Sequence, residues 1–424
     1  MNAAPRSLAA RYRFVRAQSL ALAAPLSAED QSAQSMPDAS PTKWHLAHTA
    51  WFFETIVLPV LEPDAPPFDP KFGYLFNSYY EALGARQPRP LRGLLTRPSL
   101  DTVLKYRDHV DARVEARLET LDAAEPASRR FAALLELGLQ HEQQHQELLL
   151  TDIKHLFAHN PLAPAYAEPP GTTKTDPYRD RARLQWIACL GGQVEIGHNG
   201  RGFSFDNERP RHAILLRPYT LANRLVTCGE YLAFIGDGGY RRPEFWLSEG
   251  WALRVAEDWQ APLYWRRLDK GDWEIFTLFG QRSFDPDEPV CHVSFYEAAA
   301  YAAWADARLP TEGEWEAAAQ RSPIKGNFLD PQQLHPAASA ASEDLTRMHG
   351  DAWNWTRSSY EPYPGFRADA GAIGEYNGKF MINQMVLRGG SCFTPADHIR
   401  ASYRNFFPAS ARWQVTGIRL ARDS

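Results

Sequence analysis

Two histidines stand four residues apart in LQHEQQHQELLL, residues 139–150. On a helix that separation puts the imidazoles of His141 and His145 on one face. Two such groups do not close a useful metal site, so a third ligand must come from another element. The stretch SPTKWHLAHTAWFFE offers His45 and His48. A one-sided apolar stripe admits only one of them beside Trp44, Trp51 and Phe52. His48, four residues after Trp44 and four before Phe52, fits that stripe. His48, His141 and His145 would give three neutral nitrogen ligands and leave coordination positions open for water, oxygen or substrate. Imidazole suits zinc and iron alike, so spacing does not choose between them. The competing reading is three hydrogen-bonded core histidines. It suits any one of them better than it suits a helical pair plus a third.

Read literally, His-Glu-x-x-His is the zinc-peptidase signature. That chemistry needs a third ligand, either a glutamate from a following helix or a continuing His-x-x-Gly-x-x-His. Here HQELLL follows, and the nearest suitably spaced glutamate, Glu168, lies in a proline-rich stretch. Glu142, one residue after a ligand, turns about 100° away from it. It reads as a residue behind the ligands or on the surface, not as a general base.

The elements that must position these residues are helical up to about residue 160. Arg11, Arg13 and Arg16 alternate at helical spacing with Leu8, Tyr12, Val15 and Leu20, which predicts an amphipathic helix and not a secretory signal. A second helix begins near Ser40, a candidate cap, and Pro41. A third follows Ser99 or Asp101, and a fourth runs through RRFAALLELGLQHEQQHQELLLTDIKHLF. Four amphipathic segments make a bundle. Between the second and third lies an irregular connection from Glu62 to Pro98, longer than a compact domain usually carries without a functional reason. The bundle is taken as residues 1–165, a Pro- and Thr-rich linker as 166–182, and residues 183–424 as a second domain. The latter reads as α+β with short strands, Gly-rich turns and most of the 13 Trp.

With 424 residues, 23% charged, and a net charge of −5, the chain is not basic enough for electrostatic capture of nucleic acid or an anionic membrane. No apolar run approaches the ~20 residues that span a bilayer. The four cysteines are widely separated, implying neither a disulfide framework nor a thiolate metal site, and a reducing cytoplasmic setting fits them.

SPTKWHLAHTAWFFE, FNSYYEALGARQPRPLRGLL and HEQQHQELLLTDIKH resemble the N-terminal DinB-like four-helix bundle of the non-haem iron sulfoxide synthases of ergothioneine biosynthesis. PVCHVSFYEAAAYAAWADARLPTEGEWEAAA, GDAWNWT, VLRGGSCF and YRNFFPASARWQVTGIRLAR resemble the C-type-lectin-like domain of formylglycine-generating enzymes. The resemblance covers nearly the whole chain. It implies that His48, His141 and His145 hold Fe(II), that O2 is a co-substrate, and that sulfur is joined oxidatively to imidazole carbon 2 of hercynine, N-α-trimethylhistidine. The site would lie where the metal face of the bundle meets the second domain.

The resemblance further implies Tyr79 or Tyr80 as proton donor to oxygen. In another branch that tyrosine comes from the second domain, where Tyr360, Tyr363 and Tyr376 are candidates. Arg89 and Arg92 would bind the donor's carboxylate, Asp38 its ammonium, and Gln144 with Asn405, Phe406 and Phe407 the hercynine. Relatives that use γ-glutamylcysteine carry an aspartate where Phe407 stands. That departure, with the NSYY loop, points to free cysteine. Alternatives are a selenoneine synthase taking a selenosugar, a non-catalytic metal- or ligand-binding protein, and a zinc-dependent thiol transferase of the DinB type.

Overall fold

The computed structural model describes residues 7–169, 183–269, 271–283, 285–330, 333–375 and 377–424, omitting the side chain of residue 372. The linker read at 166–182 therefore lies outside the described residues from 170 onward, as does Tyr376. The chain forms two compact units, one of Met1–Pro161 with Asp369–Tyr376, the other of Leu162–Ala368 with Asn377–Ser424. No helix among the described residues is long and apolar enough to cross a membrane.

The first unit is built on α1 (Leu8–Ala23), α2 (Thr42–Phe52), a single turn α3 (Phe72–Leu75), α4 (Leu100–Glu119) and α5 (Pro126–Ala158). The hydroxyls of Ser7 and Ser99 cap α1 and α4 by accepting the backbone N–H groups of Ala10 and Thr102. Ser40 does not cap α2. Pro41 occupies the cap position, while the Ser40 N–H donates to the Asp152 carboxylate at 2.8 Å. α2 packs on α4 and α5, and α1 packs on α5. Tyr12, Trp51, Phe53, Val103, Tyr106, Val110, Phe131 and Leu135 form the core between them. Gly138 is required there, because a Cβ at that position would meet the Phe53 ring at 2.4 Å. Its absence lets α5 approach the end of α2 one turn before His141.

The second unit carries β1 (Trp186–Cys189), β2 (Gly192–Ile196), β3 (His212–Leu216), β4 (Tyr219–Ala222), α6 (Cys228–Gly236), α7 (Ser248–Ala256), β5 (Trp265–Arg267), β6 (Trp273–Thr277) and β7 (Gly280–Ser283). After these come α8 (Phe295–Trp304), α9 (Glu312–Ala319), β8 (Trp353–Ser359), β9 (Met385–Arg388), β10 (Asn405–Phe407), β11 (Thr416–Gly417) and β12 (Ala421–Asp423). The largest sheet runs β10-β9-β8-β11, and smaller ones are β1-β4-β12, β5-β6-β7 and the pair β2-β3. Capping boxes start α6, α8 and α9, with Thr227, Ser294 and Thr311 paired to Glu230, Glu297 and Glu314. This is the α+β architecture expected, with much of the chain between elements.

Candidate metal centre

His48, His141 and His145 form the one cluster of potential metal ligands found among the described residues, with one nitrogen of each within 4.8 Å of the others. Nε2 of His141 lies 3.2 Å from Nε2 of His48 and 3.1 Å from Nε2 of His145. The His48 Nδ1–H donates to the Phe76 carbonyl at 2.6 Å, which leaves its Nε2 lone pair turned to the cluster. Trp44 and Trp51 stack on either face of that ring, at 4.6 Å and 5.4 Å. Burial, reinforced by the neighbouring imidazoles, pushes the pKa of His48 and His145 well down. Burial likewise takes His141 down to about 3. All three are therefore neutral near pH 7, the form that ligates, and the donor set fits a divalent iron or zinc ion.

The spacing argument placed one of His45 and His48 inward, whereas both are buried. Every residue of α2 is buried, so this helix has no outward face to receive the second histidine. His45 Nδ1 lies 2.8 Å from Nδ1 of His145, and His45 Nε2 lies 3.0 Å from Oδ2 of Asp152. Glu142, which the sequence left behind the ligands or on the surface, is fully buried. It accepts from Arg16 at 2.9 Å, Arg107 at 3.0 Å and Ser19 at 2.6 Å. Burial works to raise its pKa, but the two guanidinium groups prevail and hold it at about 2. This ion cluster ties α5 to α1 and α4 directly behind the ligand face.

The 62–98 connection is fastened to α2 just where it carries NSYY. The Trp44 indole donates to the Leu75 carbonyl at 3.0 Å, and the Asn77 amide donates to the carbonyls of Tyr80 and Gly84. Glu375, distant in sequence, accepts from the N–H groups of Glu81 and Ala82, both at 2.9 Å. Tyr80 is buried with its ring 5.6 Å from Trp51, and half-buried Tyr79 lies against it at 5.1 Å.

Arg92, at 4% exposure, lies over Trp44 with its guanidinium carbon 3.4 Å from the ring centre. It donates to Ser40 Oγ at 3.0 Å and Ser78 Oγ at 3.3 Å, while Nε has no partner. Burial and the charges of Arg89 and Arg86 push its pKa down to about 9, opposed by Asp152 and Tyr79. The electrostatic effect of Arg92 reaches both His48 and His145. Arg89 is exposed and donates to the Asp38 backbone carbonyl, and Asp38 is exposed as well. Gln144 is half-buried on α5 beside His145.

The remaining sequence candidates belong to the second unit. Asn405, Phe406 and Phe407 form β10, paired with Leu387, Val386 and Met385 of β9. Phe406 stacks on Tyr360 at 4.0 Å and 11°, and Phe407 lies edge-on to Trp413 at 6.0 Å. The Tyr360 hydroxyl accepts from the Asn207 amide at 2.9 Å, and the Tyr363 hydroxyl donates to Glu312 at 3.2 Å. Burial raises the pKa of both phenols. All four cysteines are free thiols.

Asp152, the arginines paired to Glu142, and Glu375 were not read from the sequence; His45 was weighed only as the rival to His48, and Glu142 only as a residue behind the ligands or on the surface. Only Asp152 left a signal, since it follows His145 by seven residues and so shares its helical face.

Residues 11–149 match the DinB superfamily, and residues 173–343 and 331–424 match the sulfatase-modifying factor enzyme 1-like domain. The hercynine oxygenase of Mycolicibacterium smegmatis is 33% identical over 423 residues, covering 92% of this chain and 92% of that protein. The hercynine oxygenase of Mycobacterium tuberculosis is 31% identical over 444 residues, covering 99% of each. Ergothioneine biosynthesis protein 1 of Schizosaccharomyces pombe is 27% identical over 234 residues, covering 52% of this chain and 28% of that one. With a DinB-like helical unit followed by a formylglycine-generating-enzyme-like unit, and with this similarity along its length, the chain belongs to the hercynine oxygenase family, the sulfoxide synthases of ergothioneine biosynthesis.

Proposed function

We propose that the protein joins the sulfur of a small thiol, cysteine foremost, to carbon 2 of the hercynine imidazole, using O2 and iron(II) held by His48, His141 and His145. In the overall reaction the C2–H and S–H bonds break while C–S and S–O bonds form. One oxygen atom enters the sulfoxide and the other leaves as water, so O2 takes up the four electrons released. The observation that carries this reading is the convergence of three neutral imidazole nitrogens, those of buried His48 and His141 and half-buried His145, in a chain similar throughout to hercynine oxygenases.

Iron(II), when bound, supplies O2 binding and electron transfer. The chain's own residues do the rest. The His48 ring, clamped between two indoles and fixed by the Phe76 carbonyl, presents one nitrogen in one direction. Arg92 is a buried cation with no carboxylate ion-paired to it among the described residues, and it offers its guanidinium to the carboxylate of the thiol donor. Arg89 and Asp38, both exposed, would meet the donor at the solvent side and complete recognition of its charged ends. Tyr79, near enough to Arg92 to affect its charge, is the preferred proton donor to reduced oxygen, with Tyr80 packed behind it. Within the first unit Gln144 offers an amide group to the hercynine imidazole; in the second unit Asn405 carries an amide, and Phe406 and Phe407 carry aromatic faces, of the kinds that suit an imidazole and a trimethylammonium group.

The test is incubation of the iron-loaded protein with hercynine, air and either cysteine or a selenosugar, with product masses and O2 uptake measured. A cysteine–hercynine sulfoxide is the expected product. A selenium-containing product alone would transfer the reading to the selenoneine branch. Absence of hercynine-dependent O2 uptake with every donor would overturn it.

A further inference from the structure

We infer that His45 and Asp152 form a buried relay that fixes the tautomer and aim of the His145 ligand, making them positioning residues of the metal centre. The inference rests on the proposed ion at His48, His141 and His145, and adds to it a chain of three groups behind one ligand.

The geometry allows a single consistent pattern of protons. For His145 Nε2 to face the cluster with a lone pair, its proton must sit on Nδ1. That N–H points at His45 Nδ1, 2.8 Å away, which must then accept. The remaining His45 proton is therefore on Nε2, where it donates to Asp152 Oδ2 at 3.0 Å. The same oxygen accepts the Ser40 N–H at 2.8 Å, so the carboxylate is held from the chain entering α2. His45 is 3% exposed and Asp152 6%, so neither hydrogen bond is shared freely with water. Each group has one role and no proton is left over.

The consequence is directional. A carboxylate at the far end of the chain makes His45 a better acceptor, which in turn makes the His145 ring a stronger electron donor at Nε2. The relay also joins α2 to α5 at the level of the ligands, so a turn of either helix would disturb His48 and His145 together. His48 is oriented differently, by the neutral carbonyl of Phe76. Two ligands of one ion thus have unlike supports, and only the His145 support carries charge.

Iron(II) affinity tests this without reference to hercynine or donor. The full-length apoprotein is titrated anaerobically with iron(II) against a chelator, for the wild type and for His45→Gln, His45→Phe and Asp152→Asn. Glutamine can accept from His145 with its carbonyl and donate to Asp152 with its amide, so His45→Gln should stay close to wild type. Phenylalanine can do neither, and His45→Phe should weaken binding about 10- to 100-fold. Asp152→Asn keeps an acceptor but removes the charge, and should fall between the two.

In the cobalt(II)-substituted protein, the shifted exchangeable proton resonance of His145 Nδ1–H should persist in His45→Gln and vanish in His45→Phe. Loss of affinity in His45→Gln equal to that in His45→Phe would overturn the relay. So would wild-type affinity and an unchanged resonance in His45→Phe. If His45→Phe does not fold, wild-type affinity in Asp152→Asn overturns the charged relay, and weakened affinity supports it. Should the wild type bind no iron, the metal reading itself has failed, and that result is separate from any difference among variants.

Discussion

Arg92 in the first unit and Arg404 in the second are each 4% exposed, yet their surroundings act in opposite directions. Arg404 donates to both oxygens of Glu312, to the Asn207 carbonyl and to the Glu361 carbonyl. Burial would lower its pKa, but Glu312 more than compensates and raises it. Arg92 has two serine hydroxyls, an indole face and a free Nε, and it is pushed down to about 9. Arg419 of the second unit also falls to about 9, but its guanidinium donates to four carbonyl oxygens, from Asn354, Ala222, Thr346 and Arg347. The charge of Arg404 is thus met by a carboxylate, and that of Arg419 by carbonyl dipoles, inside the second unit. Beside the histidines, Arg92 has no such carboxylate among the described residues, and on the function proposed above it would be available to an anionic substrate.

That contrast can be broken most severely at the ligands. His48→Ala should abolish stoichiometric iron and turnover while the second unit keeps its thermal transition; metal analysis showing iron retained would remove the centre altogether. Tyr79→Phe should leave iron bound and lower turnover by ~10²–10⁴-fold, with Tyr80→Phe acting mainly through packing. Equal effects in single-turnover O2 kinetics would remove the distinction between the two.

Arg404→Met should cost about 3–5 kcal/mol of stability, because buried Glu312 would lose its two-point guanidinium partner and keep only the Tyr363 hydroxyl and the Arg388 guanidinium at 3.8 Å. Arg92→Met should cost little stability, or even add some, and should instead raise KM for cysteine by ~10-fold or more. If denaturation shows Arg92→Met to be as damaging as Arg404→Met, the division between scaffold and site falls. The smallest effect concerns pH. Burial, with the charges of Arg388 and Arg419, lowers His349 of the second unit to about 4. The unfolded chain then binds the extra proton first, so stability falls as pH drops from about 6.5 toward 4 and levels off below. His349→Gln should flatten that part of a denaturation-midpoint profile.

The clustering of His48, His141 and His145 was legible because helical period alone brings His141 and His145 together, and the Trp44–His48–Phe52 spacing selects one residue of α2. The four bundle helices were legible for the same reason, and Ser99 announced the start of α4. The burial of His45 beside His48, and the choice between the interior and the surface for Glu142, were not. Stripe reasoning assumes a helix with one wet face, whereas α2 is enclosed on all sides and α5 buries residues around much of its circumference. A polar side chain inside such a helix looks the same in sequence as one facing solvent. What differs is whether another element brings a partner, as Arg16 and Arg107 do for Glu142 and Asp152 does for His45.

From the sequence alone came the residue types, the helical period, the two-part organisation and the family resemblance. All are properties of local spacing or of motifs read in order along the chain. Only the tertiary structure decided which buried charges are paired, that Glu375 returns to hold the loop after NSYY, and that His45 stands behind His145. Those facts depend on contacts between residues far apart in the chain. Burial makes each of them costly to leave unsatisfied, so the fold, not the spacing, determines where a charge or a lone pair remains available for chemistry.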